Sequence, residues 1–297
     1  MRITQSMMSR NLMTNLQGNY KRLDKTQEQL STNRQLNRPS DNPVGVASAL
    51  HYRQEISSTN QFSENAEDAD SWMQFTDSVI NEATQIVQRL SELAVQGGTD
   101  TVPKDARENI ASEVGQLYNQ LVSLGNSQFK GKYIFNGERV DETPFSADPA
   151  NVSYELDEGE VEYQIGAGIT IPVNLSGTKV FGEFSDPNGL FKVVDGLKKS
   201  LMADNTSDIQ AAISKLQNNL QNLTTRQSEV GGKQNRLTFT MSRLDDLSIN
   251  YTDLQGKVED VDMAKAITDL KTSESIYQAS LDTMARIIRP SLLDFLR

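Results

Sequence analysis

The sequence contains no cysteine, which excludes disulfides and thiolate metal sites. It contains one histidine, His51, so a histidine-based catalytic triad has no second imidazole to draw on, and His51 reads as a polar residue on a helix face. Aromatic residues make up 6% of the chain and apolar residues 36%. That is thin for one large globular core and suits elongated helical structure. Basic residues are in deficit, 29 against 40 acidic ones, for a net charge of −11 and a pI near 4.7. Phosphate backbones and anionic membranes repel such a chain, which argues against nucleic-acid binding. No apolar run approaches the roughly 20 residues needed to span a bilayer. Residues 1–20 lack a continuous apolar segment followed by a small-residue cleavage site. The expectation is a protein without membrane insertion, either cytoplasmic or exported by a route that does not read such a signal. The length of 297 residues allows two or three domains as a soft prior.

What the sequence does hold is heptads. In residues 258–297, Met263, Ile267, Leu270, Glu274, Tyr277, Leu281, Met284 and Ile288 alternate by four and three, with Glu274 the one break. This places them on one seam of a coiled coil. Pro290 then stops or kinks the helix, and Leu292, Leu293, Phe295 and Leu296 follow in a short apolar run. Such a run sits in water unless a partner covers it. At the other end Leu16, Leu23 and Leu30 recur every seven residues, with Leu12, Met13, Asn19 and Tyr20 flanking them. The two terminal segments can therefore pair and close the chain on itself.

Between them the pattern is again mostly helical. Arg38, Pro39, Ser40, Asp41, Asn42, Pro43, Val44 and Gly45 form a turn. A helix over 46–94 carries Ala69, Met73, Thr76, Ile80, Ala83, Val87, Leu90 and Ala94 on one seam. Trp72, Phe75, Val79 and Ile86 widen that face, and Gly97 and Gly98 end the helix. A second helix spans 105–127. Strand-like stretches at 152–156, 161–165 and 169–173 indicate a small β insertion, and a helix over 189–203 follows. The longest series begins at Thr206 and reads as one helix to residue 289, roughly 125 Å long at 1.5 Å per residue. Its phase shifts near 260–263, which marks a joint, and Gly231 with Gly232 mark a local weakness.

Candidate chemistry is sparse. Glu155, Asp157, Glu158, Glu160 and Glu162 form an acidic run in the β region, but alternation along a strand sends such residues to solvent, and EF-hand spacing is missing. Gly166-Ala167-Gly168 lacks the third glycine and the following helix of a dinucleotide site. Asp260 and Asp262 at the joint read as helix-capping residues. No catalytic constellation emerges: the expectation is no enzyme, no cofactor and no metal.

Four stretches carry a resemblance. They are residues 37–45 (Asn-Arg-Pro-Ser-Asp-Asn-Pro-Val-Gly), 131–137 (Gly-Lys-Tyr-Ile-Phe-Asn-Gly), 230–237 (Val-Gly-Gly-Lys-Gln-Asn-Arg-Leu), and 258–264 with 277–281 and the ending 290–296. With them the chain resembles the flagellin superfamily, and within it the members that join the flagellar hook to the filament. Asn33 stands where that family usually has glycine; asparagine also tolerates left-handed geometry, so the turn should survive. The resemblance implies a mainly α fold, an elongated flagellin-like rod of long antiparallel coiled-coil helices with a small inserted β domain. Its implied divisions are 1–36 with 260–297 as an assembly-dependent terminal pair, 37–135 with 189–259 as a central rod, and 136–188 as the insertion. It implies a structural subunit, with filament flagellin as the alternative. Its partners would be copies of itself in a ring, a neighbouring hook-associated protein, flagellin, and an export chaperone at the C-terminal segment. Its location would be extracellular, after type III export without a cleaved signal peptide. The implied assembly residues are Leu12, Leu16, Leu23, Leu30, Ile267, Leu270, Tyr277, Leu281, Met284, Ile288, Leu292, Leu293, Phe295 and Leu296. The implied turn residues are Arg38, Pro39, Ser40, Asp41, Pro43 and Gly45.

Overall fold

The computed structural model describes residues 5–99 and 102–288. Among the described residues seven helices and two short hairpins follow one another: α1 Gln5–Thr32, α2 Pro43–Gly97, α3 Lys104–Gly125, β1 Gln128–Phe129, β2 Lys132–Tyr133, β3 Glu162–Gly166, β4 Ile169–Pro172, α4 Gly177–Phe181, α5 Leu190–Met202, α6 Thr206–Glu259 and α7 Met263–Ile288. The fold is mainly helical. It divides into two units, Met1–Ser58 with Asp246–Arg297, and Thr59–Asp245. The first is called the terminal unit here and the second the central unit.

The central unit holds the apolar core. On α2, Ala66, Ala69, Met73, Thr76, Ile80, Ala83, Val87, Leu90 and Ala94 are all buried, an unbroken three-four alternation that matches the sequence pattern. On α6, Ile209, Leu216, Leu223, Val230, Leu237 and Leu244 recur every seventh residue and are each 3% exposed or less. Helices α3 and α5 add Ile110, Val114, Leu121, Val194, Leu197 and Leu201 to the same core. Burial of one continuous apolar stripe per helix is what stabilises these elements, since no single helix of this composition holds in water alone. Gly231 and Gly232 lie within α6, which runs through them without a break.

The insertion contains less strand than its sequence suggests. Residues 161–165 and 169–173 coincide with the antiparallel pair β3–β4, whereas residues 152–156 take no regular structure. A β-branched stretch becomes a strand only with a partner edge. Here the backbone is anchored through side chains instead: Asn174 Oδ1 accepts from the Val161 N–H at 3.0 Å, and the Tyr154 hydroxyl donates to the Gly182 carbonyl at 2.8 Å. The compact centre of this region is aromatic. Phe145 lies 4.9 Å from Phe191, 5.1 Å from Tyr154 and 5.3 Å from Phe181, centroid to centroid, within the range of favourable ring pairs. The short helix α4, which has no periodicity to announce it, is capped by Ser176.

The expected single helix from 206 to 289 is two. The chain leaves helix at Asp260 and re-enters at Met263, where the heptad phase shifts.

Candidate assembly site

The terminal unit is built from α1, the ends of α2 and α6, and α7. Antiparallel packing of α1 on α7 follows from the heptads at both ends of the chain. On α1, Leu12, Leu16, Asn19, Leu23, Thr26 and Leu30 face inward and are half-buried. On α7 the inward residues are Ala266, Leu270, Ser273, Tyr277, Ser280 and Met284. The structure thus brings Leu12, Leu16, Leu23, Leu30, Leu270, Tyr277 and Met284 to the helix pair. Ile267 and Leu281 lie off it, 49% and 41% exposed. The side chain of Ile288, and Leu292, Leu293, Phe295 and Leu296, lie outside the described residues. The α7 seam is rotated by one position at alternate steps from the one read in the sequence. Small residues, Ala266, Ser273 and Ser280, take the inner places, and Met263, Ile267 and Leu281 are left facing out. Side chains that small let helix axes approach closely, which periodicity of large apolar residues does not reveal.

This unit has almost no interior. Among its described residues only Ala49, Glu259 and Ala266 are buried. Met7, Met8, Met13, Tyr20, Met263, Ile276 and Leu281 are each more than two-fifths exposed. An open groove of about 530 Å³ runs between the two helices, lined by Leu12, Leu16, Asn19, Ile276, Ala279 and Thr283 among others.

The turn after α1 is tied down by polar contacts. Asn33 closes the helix at φ 56°, the left-handed geometry that asparagine accepts in place of glycine. Asp41 Oδ2 accepts from the Arg38 N–H at 3.0 Å and the Asn37 N–H at 3.3 Å. Its other oxygen meets Lys25 Nζ at 2.7 Å. The hydrogen bond from Lys25 and those from the turn backbone hold the Asp41 carboxyl below its ordinary pKa, against a smaller opposing effect of burial. Arg38 Nη2 reaches Glu28 on α1 at 3.2 Å. Asn42 caps α2 by accepting from the Gly45 N–H at 3.1 Å, and Pro43 occupies the first helical position, where no N–H is needed. A Cβ at Gly45 would lie 2.8 Å from Leu36 Cδ1, so a larger residue there would have to displace that side chain. Pro39 and Ser40 are exposed members of the turn.

The α6–α7 joint carries residues that sequence reading passed over. Glu259, the last residue of α6, has a side chain 3% exposed. It pairs with Arg53 of α2, with Arg34 Nε at 3.0 Å and with Gln255 Nε2 at 2.8 Å. Burial pushes its carboxyl pKa up, but the Gln255 and Arg53 hydrogen bonds and the charges of Arg53 and Arg34 outweigh that, so the net displacement is downward. The signal was present: a carboxylate at a helix C-terminus opposes the helix dipole and calls for a compensating cation. Asp262 caps α7 through its Oδ1, which accepts from Ala264 and Lys265 N–H at 3.0 and 3.1 Å, as the sequence suggested.

The acidic run of the insertion serves local structure. Asp157 accepts from the Glu138 N–H at 2.7 Å, and Glu158 accepts from the Thr178 hydroxyl at 2.9 Å. Among the described residues no group of three or more His, Asp or Glu is placed to hold a metal, and no helix is long and apolar enough to cross a membrane.

Comparison with known proteins agrees with this architecture. The family model for the bacterial flagellin N-terminal helical region matches residues 3–139, and that for the bacterial flagellin C-terminal helical region matches residues 211–296. Flagellin of Bacillus subtilis is 28% identical over 96% of both chains. Flagellar hook-associated protein 3 of Salmonella typhimurium is 26% identical over the full length of both. Among solved structures, FlgL of Bacillus cereus superposes with a TM-score of 0.60 at 17% identity, covering 69% of this chain and 99% of that one. The flagellar junction protein FlgL of Legionella pneumophila superposes at 0.59 and 16% identity, covering 73% and 100%. With both helical regions matched, in the order and at the places where α1–α3 and α6–α7 stand, the chain belongs to the bacterial flagellin family of structural flagellar proteins.

Proposed function

We propose that this chain is the structural subunit that joins hook to filament in a bacterial flagellum, exported without a cleaved signal peptide and assembled as a ring. The observation that carries the reading is the terminal unit: a helix pair with a half-buried seam, exposed methionines and almost no interior. Such a pair gains too little from burial to offset the ordering of its own residues. Contact with neighbouring copies supplies the missing burial, and head-to-tail contact between identical subunits generates rings or helical tubes. End-to-end similarity to a hook-associated protein supports the junction position. The neighbours in the assembly would be flagellin on one side and another hook-associated protein on the other. Before export, a chaperone with an apolar groove would cover the α7 segment, in the manner of helix-in-groove recognition.

Full-length similarity to flagellin supports a second reading, a filament subunit. A strain lacking this chain separates the two. Loss of a junction subunit leaves complete hooks without filaments and flagellin shed into the medium. Loss of a filament subunit leaves no such shed protein. Copy number per flagellum is the companion measurement: a ring's worth supports the junction, thousands the filament.

A further inference from the structure

Phe239, on α6 in the central unit, is 78% exposed, more than any other large apolar side chain among the described residues. It stands two positions from buried Leu237, so the packing of α6 within its own chain has no use for it. Arg236 and Arg243 lie three before and four after it, which puts all three on one helix face. Both arginines are exposed and form no ion pair among the described residues. Aromatic rings and arginines are the residues that binding surfaces favour. Gly232, one heptad earlier on the same face, has open space above it, so another molecule can approach the helix closely there.

The same unit carries a complement to this patch. From Thr59 to Gln88, α2 holds six carboxylates and no lysine, arginine or histidine. Glu67, Asp70, Gln74 and Asp77 follow one another by three and four, and all keep some exposure. Glu67 and Asp77 have no ion-pair partner among the described residues, and Asp70 accepts from Gln74 of its own helix at 2.6 Å. Asp70 and Asp77 are seven residues apart, as Arg236 and Arg243 are, a span of about 10 Å on either helix. Gln74 lies between the two carboxylates as Phe239 lies between the two guanidinium groups, and exposed Ser71 and Ser78 beside it leave room for a ring. A chain that carries the two halves of a match at different places associates head to tail, the patch of one copy on the stripe of the next. Opposite charges steer such an encounter and set its register.

We infer that Arg236, Phe239 and Arg243 of one copy dock on the Asp70–Gln74–Asp77 stripe of a neighbouring copy, so that the central unit supplies a seam between subunits. The inference rests on the proposed self-assembly and names the surfaces through which copies meet.

Disulfide formation in assembled flagella reads the seam, because the native chain has no cysteine. Cells would express two full-length chains together, one with Ser242→Cys and the other with Ser71→Cys or Ser78→Cys. Mild oxidation should join one copy of each into a dimer, through position 71 if the helices dock antiparallel and through 78 if parallel. In a second arm, Arg236→Glu with Arg243→Glu should cut incorporation at least tenfold. The circular dichroism and Trp72 fluorescence unfolding of that isolated chain should match wild type. Adding Asp70→Arg with Asp77→Arg should restore most of the incorporation. Absence of both mixed dimers from flagella that contain the two chains overturns the inference. So does wild-type incorporation of the double-glutamate variant, or a charge exchange that folds normally and restores nothing. Mixed dimers along the whole filament, and not confined to the hook end, would leave the docking intact and count against the junction reading.

Discussion

Asn19 Nδ2 of α1 donates to Ser280 Oγ of α7 at 2.8 Å, one turn from the tilted contact of the Tyr20 and Tyr277 rings at 6.1 Å. This is a half-buried polar pair in the middle of the seam. Buried polar pairs in coiled coils fix register at a cost in stability. Asn19→Leu should therefore leave the α1–α7 pair as stable as before, or more so by about 1 kcal/mol, while loosening its alignment. The chain has no native cysteine, so cross-linking reports this cleanly. Cysteines at Leu16 and Thr283, which line the same groove, should cross-link in the native background. With Asn19→Leu, a cysteine at Ile276, one heptad away, should begin to compete for the one at Leu16.

Leu281 lies outside the helix pair and is 41% exposed. On the proposed assembly, Leu281→Asp removes an apolar contact made with a neighbouring subunit. The folded monomer should lose less than about 0.5 kcal/mol, the usual range for an exposed site, and the circular dichroism spectrum should not change. Incorporation into flagella should fail, as scored by motility and by immunogold labelling of hooks.

The terminal unit of the assembled subunit should loosen in acid. Glu259 and Asp41 both have folded pKa values below their ordinary ones of 4.5 and 3.8. A depressed carboxyl contributes stability that is present above its unfolded pKa and lost as pH falls through the folded value. In assembled flagella, protection of α1 and α7 amides, after correction for intrinsic exchange, should thus be flat above about pH 5 and decline below it. Substituting Lys25→Met should weaken the Asp41 part of that decline.

The helices of the central unit were legible because their seams are long and keep one phase throughout. The three-four run from Ala69 to Ala94 and the sevenfold series from Ile209 to Leu244 leave little alternative. The turn at Asn37–Gly45 was legible from proline, Asx and glycine chemistry, and the break near Asp260 from the phase of the heptads. The inner face of α7 was not, since it is carried by Ala266, Ser273 and Ser280, which weigh little in a hydrophobic pattern. The Glu259 cluster was also missed, because Arg34 and Arg53 stand more than 200 positions from their partner and no local spacing links them. Residues 152–156 failed for the opposite reason: strand propensity was present and a pairing edge was not.

Arg107 offers the sharpest test of the central unit. Its side chain is 6% exposed and donates to the Gly97 and Thr99 carbonyls at 2.9 Å each, closing the end of α2, while it also pairs with Asp204. Arg107→Met keeps the length of the side chain but orphans the carbonyl of buried Gly97, which costs about 1–3 kcal/mol, and leaves that of exposed Thr99 to water. A loss of about 2 kcal/mol is expected. Trp72, the single tryptophan, is 4% exposed within the same unit, so its fluorescence reports urea unfolding there. The midpoint should fall with an unchanged slope. Asp204 is 46% exposed and sits at φ 60°. Asp204→Asn, which keeps a residue tolerant of that geometry, should therefore cost no more than about 1 kcal/mol, the range of a solvent-screened ion pair. If the two substitutions cost the same, the ion pair, and not the closure of α2, would be the dominant role of Arg107.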